Sequence, residues 1–241
     1  MAVAFVFYCT LIGWMFQPEL SCLSTCYVDL GAMYGNMGIF GFSDTLLNTW
    51  ILAWTQHGLA TQPAQLFDSN TFYPFSNTLS GSEHLLGLAL LSWPLRVFSA
   101  NAIGIYQFTL ILTYLLLAMT SYAFVRYVTR SQGLALLAGA ASIFMPWHAT
   151  EVLHIQLLGA HWFPLVWLLA LRITLKEARK FDAPLLFLVL SLQLLTSFYL
   201  AYFISLSLAL CIAMGMLALA PERRLFRQLG LPIAGAFGIF L

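Results

Sequence analysis

Ile103-Gly-Ile-Tyr-Gln-Phe-Thr-Leu-Ile-Leu-Thr-Tyr-Leu-Leu-Leu-Ala-Met-Thr-Ser-Tyr-Ala-Phe-Val125 is a run of 23 residues without a charge. At about 1.5 Å rise per residue it reaches across a hydrocarbon core of roughly 30 Å. The rest of the chain agrees with that solvent: of 241 residues 61% are apolar, 15% aromatic and only 8% charged, and the mean hydropathy is +0.87. A soluble domain carries about a quarter charged residues. With ten Lys and Arg and a net charge of +1 there is no basic face to follow phosphates, so nucleic-acid partners are excluded.

The basic residues orient the spans. Arg126 and Arg130 follow the central run, and Arg172, Lys176, Arg179 and Lys180 form a second cluster. Both belong on the cytoplasmic side, so an even number of crossings separates them. The segment between is then a hairpin of helices 131–147 and 157–175 with a polar outer tip, Trp147-His-Ala-Thr-Glu-Val-Leu-His-Ile-Gln156. Ala183–Ala220 is uncharged over 38 residues, about 57 Å as one helix, and has basic flanks. It is read as a second hairpin, helices 183–197 and 200–220, turning near Thr196–Leu200. A last apolar segment, 229–241, is short for a span and reads as a helix cut off within a longer protein.

Residues 1–16 are a first membrane helix, which makes 17–102 an outer loop carrying interfacial helices over 45–60 and 84–98. In the alternative, residues 85–98 cross and 1–16 do not. The fold class is all-α, a polytopic transmembrane bundle. This topology puts Glu19, Asp29, Asp44, Asp68, Glu83 and Glu151 outside with Arg96, and the other nine Lys and Arg inside with Glu177, Asp182 and Glu222. All five histidines, at 57, 84, 148, 154 and 161, fall on or near the outer face.

Chemistry is therefore sought among the outer polar groups. Ser43 or Asp44 is expected to cap the helix that carries Trp50 and Trp54, and Asp44 can also be an acid, base or metal ligand. Ser82 is expected to cap the next helix, with Glu83 favoured in its first turn; capping requires neither Glu83 nor His84 in particular. On the hairpin tip a helical conformation would align His148, Glu151 and His154, with Gln156 beside them. Cys22 and Cys26 can bridge if their loop faces an oxidising compartment. Zinc spacings, phosphate loops, nucleophile elbows and dinucleotide fingerprints are absent from the sequence.

Asp44-Thr-Leu-Leu-Asn-Thr-Trp-Ile-Leu-Ala-Trp54, Phe72-Tyr-Pro74, Ser82-Glu-His-Leu-Leu-Gly87 and His154-Ile-Gln-Leu-Leu158 together resemble a bacterial GT-C-like group of membrane glycosyltransferases, over roughly residues 40–220. The resemblance implies a GT-C-like bundle in the inner membrane. It also implies sugar transfer from a polyprenyl-phosphate donor to a glycan, lipid or protein acceptor on the periplasmic or extracellular face. Asp44 matches the position at the family's reacting centre and is the candidate base; Glu83 and His154 join it as catalytic candidates. His84, Gln156, Arg96, Tyr73 and Glu151 are candidates for binding phosphate, sugar or acceptor. The tip has Glu151 and His154 where many relatives carry D-x-D or E-x-D, so dependence on Mg or Mn does not carry over with the resemblance. A lipid-linked saccharide transporter and a non-catalytic membrane subunit are the rival readings.

Overall fold

A computed structural model describes residues 1–28, 38–97 and 101–218, and among these the regular structure is helical, with no strand. The main helices are α1 (Ala2–Met15), α2 (Gly38–Thr61), α3 (Leu86–Ser92), α4 (Ala102–Thr129), α5 (Gln132–Ile143), α6 (Phe163–Thr174), α7 (Asp182–Thr196) and α8 (Phe198–Ala218). Among the described residues two segments are long and apolar enough to cross a membrane, Ala102–Thr129 and Ile155–Thr174; Ala2–Met15, Asp182–Thr196 and Phe198–Ala213 are shorter apolar helices. The expected helix 229–241, together with Asp29, Glu222 and the basic residues beyond 218, lies outside the described residues.

Helix α4 is the axis. Asn101 caps its first turn, accepting from the Gly104 N–H at 2.9 Å. Its buried face, Ile105, Leu110, Tyr114, Ala118 and Tyr122, packs with Tyr8 and Ile12 of α1, Ile51 and Leu52 of α2, Leu88 of α3 and Ala135 of α5. A second apolar cluster joins α6, α7 and α8 through Val166, Leu169, Leu186, Val189, Leu190, Ile204 and Leu208, and α6 packs back on α4. The outward side chains are apolar as well: Val3, Val6 and Trp14 on α1, Leu137 on α5, and Tyr202, Phe203 and Leu210 on α8 are all more than half exposed. Apolar residues on both the inside and outside of a bundle are the pattern of helices solvated by lipid.

The two ends of the bundle differ in charge. At one end Tyr127 donates to Glu177 at 2.5 Å, and Arg172 pairs with Asp182 at 2.8 Å in a largely buried contact. The last turn of α4 thus meets the segment after α6, which puts the two basic clusters at the same end of the bundle. At the other end lie the start of α4, the Cys22–Cys26 disulfide loop beside Gly104, and the acidic residues Asp44, Glu83 and Glu151.

Several local expectations are corrected. Helix α2 begins at Gly38, so Asp44 sits within it and neither Ser43 nor Asp44 is its N-cap. Ser82 does not cap α3: Leu85 adopts a left-handed conformation, and the His84 ring folds back to accept from the Leu86 N–H at 3.1 Å. α3 is seven residues long, continuing as a 3-10 turn over Trp93–Val97, about 10 Å of α-helix and too short to cross a bilayer. α5 stops at Ile143, and Pro146 starts a separate turn, Pro146–Thr150. The second hairpin breaks at Ser197, whose extended backbone separates α7 from α8.

Close approach between α1 and α5 depends on one glycine. The Tyr8 hydroxyl lies between the Ala135 and Leu136 carbonyls at 3.2 and 3.1 Å. A Cβ at Gly139 would stand 2.1 Å from that hydroxyl and 2.7 Å from the Ala118 carbonyl oxygen. Overpacking of this kind costs about 1–3 kcal/mol. Gly139→Val is therefore expected to lower the melting temperature of the detergent-solubilised protein by roughly 2–4 °C per kcal/mol, with Gly139→Ala intermediate; a melting temperature unchanged by Gly139→Val would contradict the packing.

Candidate functional site

Helix periodicity aims Asp44. On α2, residues 44, 48, 51 and 55 fall on one face at 100° per residue, and that face is docked along its length. Ile51 is buried in the core, Thr55 donates to the His84 carbonyl at 2.7 Å, and Asn48 donates to the Leu153 carbonyl at 3.1 Å. Gln56 on the adjoining side of α2 donates to Ser92 Oγ at 2.9 Å. Asp44 continues this stripe by one turn and meets the same 151–154 loop that Asn48 holds.

The loop is shaped by successive tight turns. The Glu151 N–H bonds back to the Trp147 carbonyl, the His154 N–H to the Glu151 carbonyl, and the Leu157 N–H to the His154 carbonyl, all at 2.8–2.9 Å. Val152, Ile155 and Leu158 are buried beneath it. His154, between Val152 and Ile155, is turned outward. His154 Nδ1 lies 2.8 Å from Glu151 Oε2, and Nε2 lies 3.1 Å from Asp44 Oδ2. The imidazole thus bridges carboxylates 107 residues apart in sequence, and their side-chain exposures of 35% for His154, 48% for Asp44 and 21% for Glu151 leave the group open at its Asp44 end.

Ionised carboxylates only accept, so each contact needs a ring N–H. An imidazolium satisfies both and a neutral ring satisfies one. The Asp44 and Glu151 carboxylates thus share one ring, and each fixes one of its two nitrogens. A cation fits poorly at the ring, because both His154 nitrogens are turned to carboxylates and the ring stands between the acids. Among the described residues no group of three or more His, Cys, Asp or Glu is arranged to hold a metal ion.

The remaining candidates lie elsewhere. Glu83 does not join the His154 group: its Oε1 accepts from Ser197 Oγ at 3.1 Å and from the Phe198 N–H at 3.0 Å, placing a carboxylate at the N-terminus of α8, where the helix dipole favours it. Burial raises the Glu83 pKa above the usual glutamate value, and the hydrogen bonds from Ser197 and the α8 backbone offset part of that rise. His84 is buried, edge-on to Phe67 and Phe198 at 5.8 and 5.5 Å, and burial lowers its pKa. Arg96 is exposed with its guanidinium 5.7 Å from the Trp93 ring. Tyr73 is 96% exposed between Phe72 and Phe75, also exposed. Gln156 has a buried amide oxygen with no hydrogen-bond partner among the described residues.

The expected alignment of His148 with Glu151 and His154 is not observed. The helical turn ends at Thr150, and the His148 ring is buried 5.2 Å from that of Tyr114. The sequence reading also passed over Asn48 and Ser197. Asn48 is one turn from Asp44, and Ser197 precedes the helix start as a capping residue would, so both carried a signal.

The Glu83 contact makes stability depend on pH. A carboxyl whose folded pKa is raised contributes stability that is fully present below its unfolded pKa and is lost as pH rises through the folded value. Melting curves of the purified protein from about pH 4 upward are expected to show this decline, and Glu83→Gln, which keeps an acceptor for Ser197 and Phe198, is expected to flatten it. A variant with the parent's full pH dependence would assign the decline to other groups. Comparison with protein-family models, with curated proteins and with solved structures finds no match to this chain.

Proposed function

We propose that this chain is a polytopic integral membrane glycosyltransferase of GT-C type, moving a sugar from a polyprenyl-phosphate donor to an acceptor hydroxyl on the outer face of the inner membrane. The observation that carries the reading is the His154 bridge, which joins the candidate base Asp44 to Glu151 at an open end of a bundle whose outside is apolar. Segregation of the acidic group from the basic end and the Cys22–Cys26 disulfide at the acidic end support an outward-facing site.

In this reading Asp44 takes the proton of the acceptor hydroxyl. The hydroxyl oxygen bonds to the sugar's anomeric carbon as the bond from that carbon to the phosphate oxygen breaks, and the polyprenyl phosphate leaves. His154, fixed by Glu151, orients the Asp44 carboxylate toward the acceptor hydroxyl. Arg96 and Tyr73, both accessible from solvent, are available to lipid phosphate and to sugar. A saccharide transporter is the second reading, favoured by one observation: the candidate span Ile155–Thr174 carries a fully buried histidine, His161, and polar groups within spans often mark transport paths.

Transfer by membranes bearing the protein, followed with radiolabelled polyprenyl-phosphate sugars, is the test. Asp44→Asn and His154→Ala are each expected to reduce it about 100-fold or more with membrane insertion unchanged. Full activity of Asp44→Asn would remove the base, and translocation of a lipid-linked saccharide without transfer would favour the transporter.

A further inference from the structure

The loop between α2 and α3 carries three aromatic side chains that nothing among the described residues covers. Phe72 is 76% exposed, Tyr73 96% and Phe75 75%, and the turn is closed beneath them by the Phe75 N–H, which donates to the Phe72 carbonyl at 3.0 Å. Phe72 has a φ of 59°, in the left-handed region that a bulky residue seldom enters. Such backbone persists only where the surroundings hold it, and here a stem does so. The Leu79 N–H donates to the Phe67 carbonyl at 3.0 Å and the Asn77 N–H to Asp68 Oδ1 at 2.6 Å, while Ser69 Oγ lies 2.6 Å from Thr78 Oγ1 and 2.8 Å from Thr71 Oγ1. A tied loop thus presents its rings outward, and a contiguous apolar patch held in that way marks a surface of interaction.

The neighbours of the stem set its level in the bundle. Phe67 packs edge-on against His84 at 5.8 Å, and His84 against Phe198, the first residue of α8, at 5.5 Å. The first turns of α8 turn Tyr199, Tyr202 and Phe203 outward, and further along the same helix the outward residues are Leu206 and Leu210. Aromatic side chains at the end of a lipid-facing helix, followed by aliphatic ones, are the pattern of a headgroup belt above a hydrocarbon core. The stem of the loop abuts that belt. Residues 69–82 carry no charge, and Ser, Thr and Asn flank the three rings, a mixture of aromatic and neutral polar groups suited to the headgroup layer.

We propose that the Phe72–Phe75 turn is a membrane-surface anchor, its three rings entering the headgroup layer at the acidic end of the bundle and continuing the aromatic belt of α8. The occupant is the bilayer itself, because the apolar outside of the bundle reaches the stem through Phe198 and His84. The rings stand out on a convex turn instead of lining a cleft, which suits a lipid surface better than a glycan. A ring at that level remains within reach of the sugar of a lipid-linked donor. Both ends of the loop are fastened to the bundle: Leu66 lies against Gly58 of α2, where a Cβ would stand 2.9 Å from Leu66 Cδ1, and Leu79 is buried in the main core. The depth of the turn in lipid therefore sets the depth at which α2 carries Asp44. The inference rests on the membrane part of the proposed function and not on sugar transfer.

The test uses the full chain in phosphatidylcholine nanodiscs, with Cys9→Ser and Cys211→Ser removing the free thiols and the Cys22–Cys26 disulfide kept. A polarity-sensitive fluorophore is placed at Ser76→Cys, an exposed position in the loop, and in a second sample at Leu210→Cys, about 18 Å along α8 from Phe198. Quenchers are lipid nitroxides at the headgroup or deep in the acyl chain, and aqueous iodide. The label at 76 is expected to be quenched most by the headgroup nitroxide and shielded from iodide, and the label at 210 most by the acyl nitroxide. Combining Phe72→Ser, Tyr73→Ser and Phe75→Ser is expected to raise iodide quenching at 76 several-fold and leave the label at 210 unmoved, the sign that the variant is folded and inserted. Adding phosphatidylglycerol is expected to change neither, since residues 69–82 offer no Lys or Arg. A parent label at 76 open to iodide while that at 210 is deep overturns the anchor, leaves the membrane reading standing and frees the rings for a glycan. Labels open to iodide at both positions reject the membrane reading and the anchor with it. Headgroup quenching at 76 that survives loss of the three rings, or that needs phosphatidylglycerol, also overturns the anchor.

Discussion

One docked polar stripe organises the acidic end of this bundle. In lipid a helix gains little from burying leucine, because the solvent is as apolar as the core, and association leans on packing and on hydrogen bonds between helices. Helix α2 supplies such bonds in series: Gln56 to Ser92, Thr55 to the His84 carbonyl and Asn48 to the Leu153 carbonyl. These contacts place α3 and the 151–158 loop against α2 and thereby set where Asp44, one turn further along, can reach. The His154 bridge is the end of that series, and its geometry rests on the contacts that precede it.

Much of the architecture was legible because the sequence is poor in charge. The uncharged run over 103–125 lies within α4, the two basic clusters come to one end where Tyr127 meets Glu177, and the second hairpin turns at Ser197, inside the polar and aromatic point of its 38-residue run. Glu151 and His154 do meet, but through a tight turn rather than through the helix expected to align them with His148. What was not legible depends on long-range contact. Asp44 resembled an N-cap because Ser and Asp precede an apolar stretch, yet α2 continues upstream to Gly38. Ser82 resembled the cap of α3, a place taken by a histidine ring after a left-handed residue. Pro146 made a fresh start of the hairpin tip and turned His148 into the core, which local periodicity does not reveal.

The polar residues fall into two kinds of environment. At the surface, charge is concentrated in a small group with one face open to solvent, where proton transfer and an incoming hydroxyl are both feasible. His161, Gln193 and Gln107 are buried instead, with the His161 ring against that of Trp162 at 4.7 Å. For the proposed transfer the open group is the part that counts, because a proton can move only where an acceptor hydroxyl can reach the base.

The cap on α8 ties distant parts of the chain together. Its N-terminus is closed by Glu83, 115 residues upstream of Phe198 and on a different segment of the chain. The first backbone donor of α8 therefore finds its acceptor only once the loop before α3 and the break at Ser197 are side by side, which makes the register of the α7–α8 hairpin a property of the whole bundle rather than of the hairpin's own sequence.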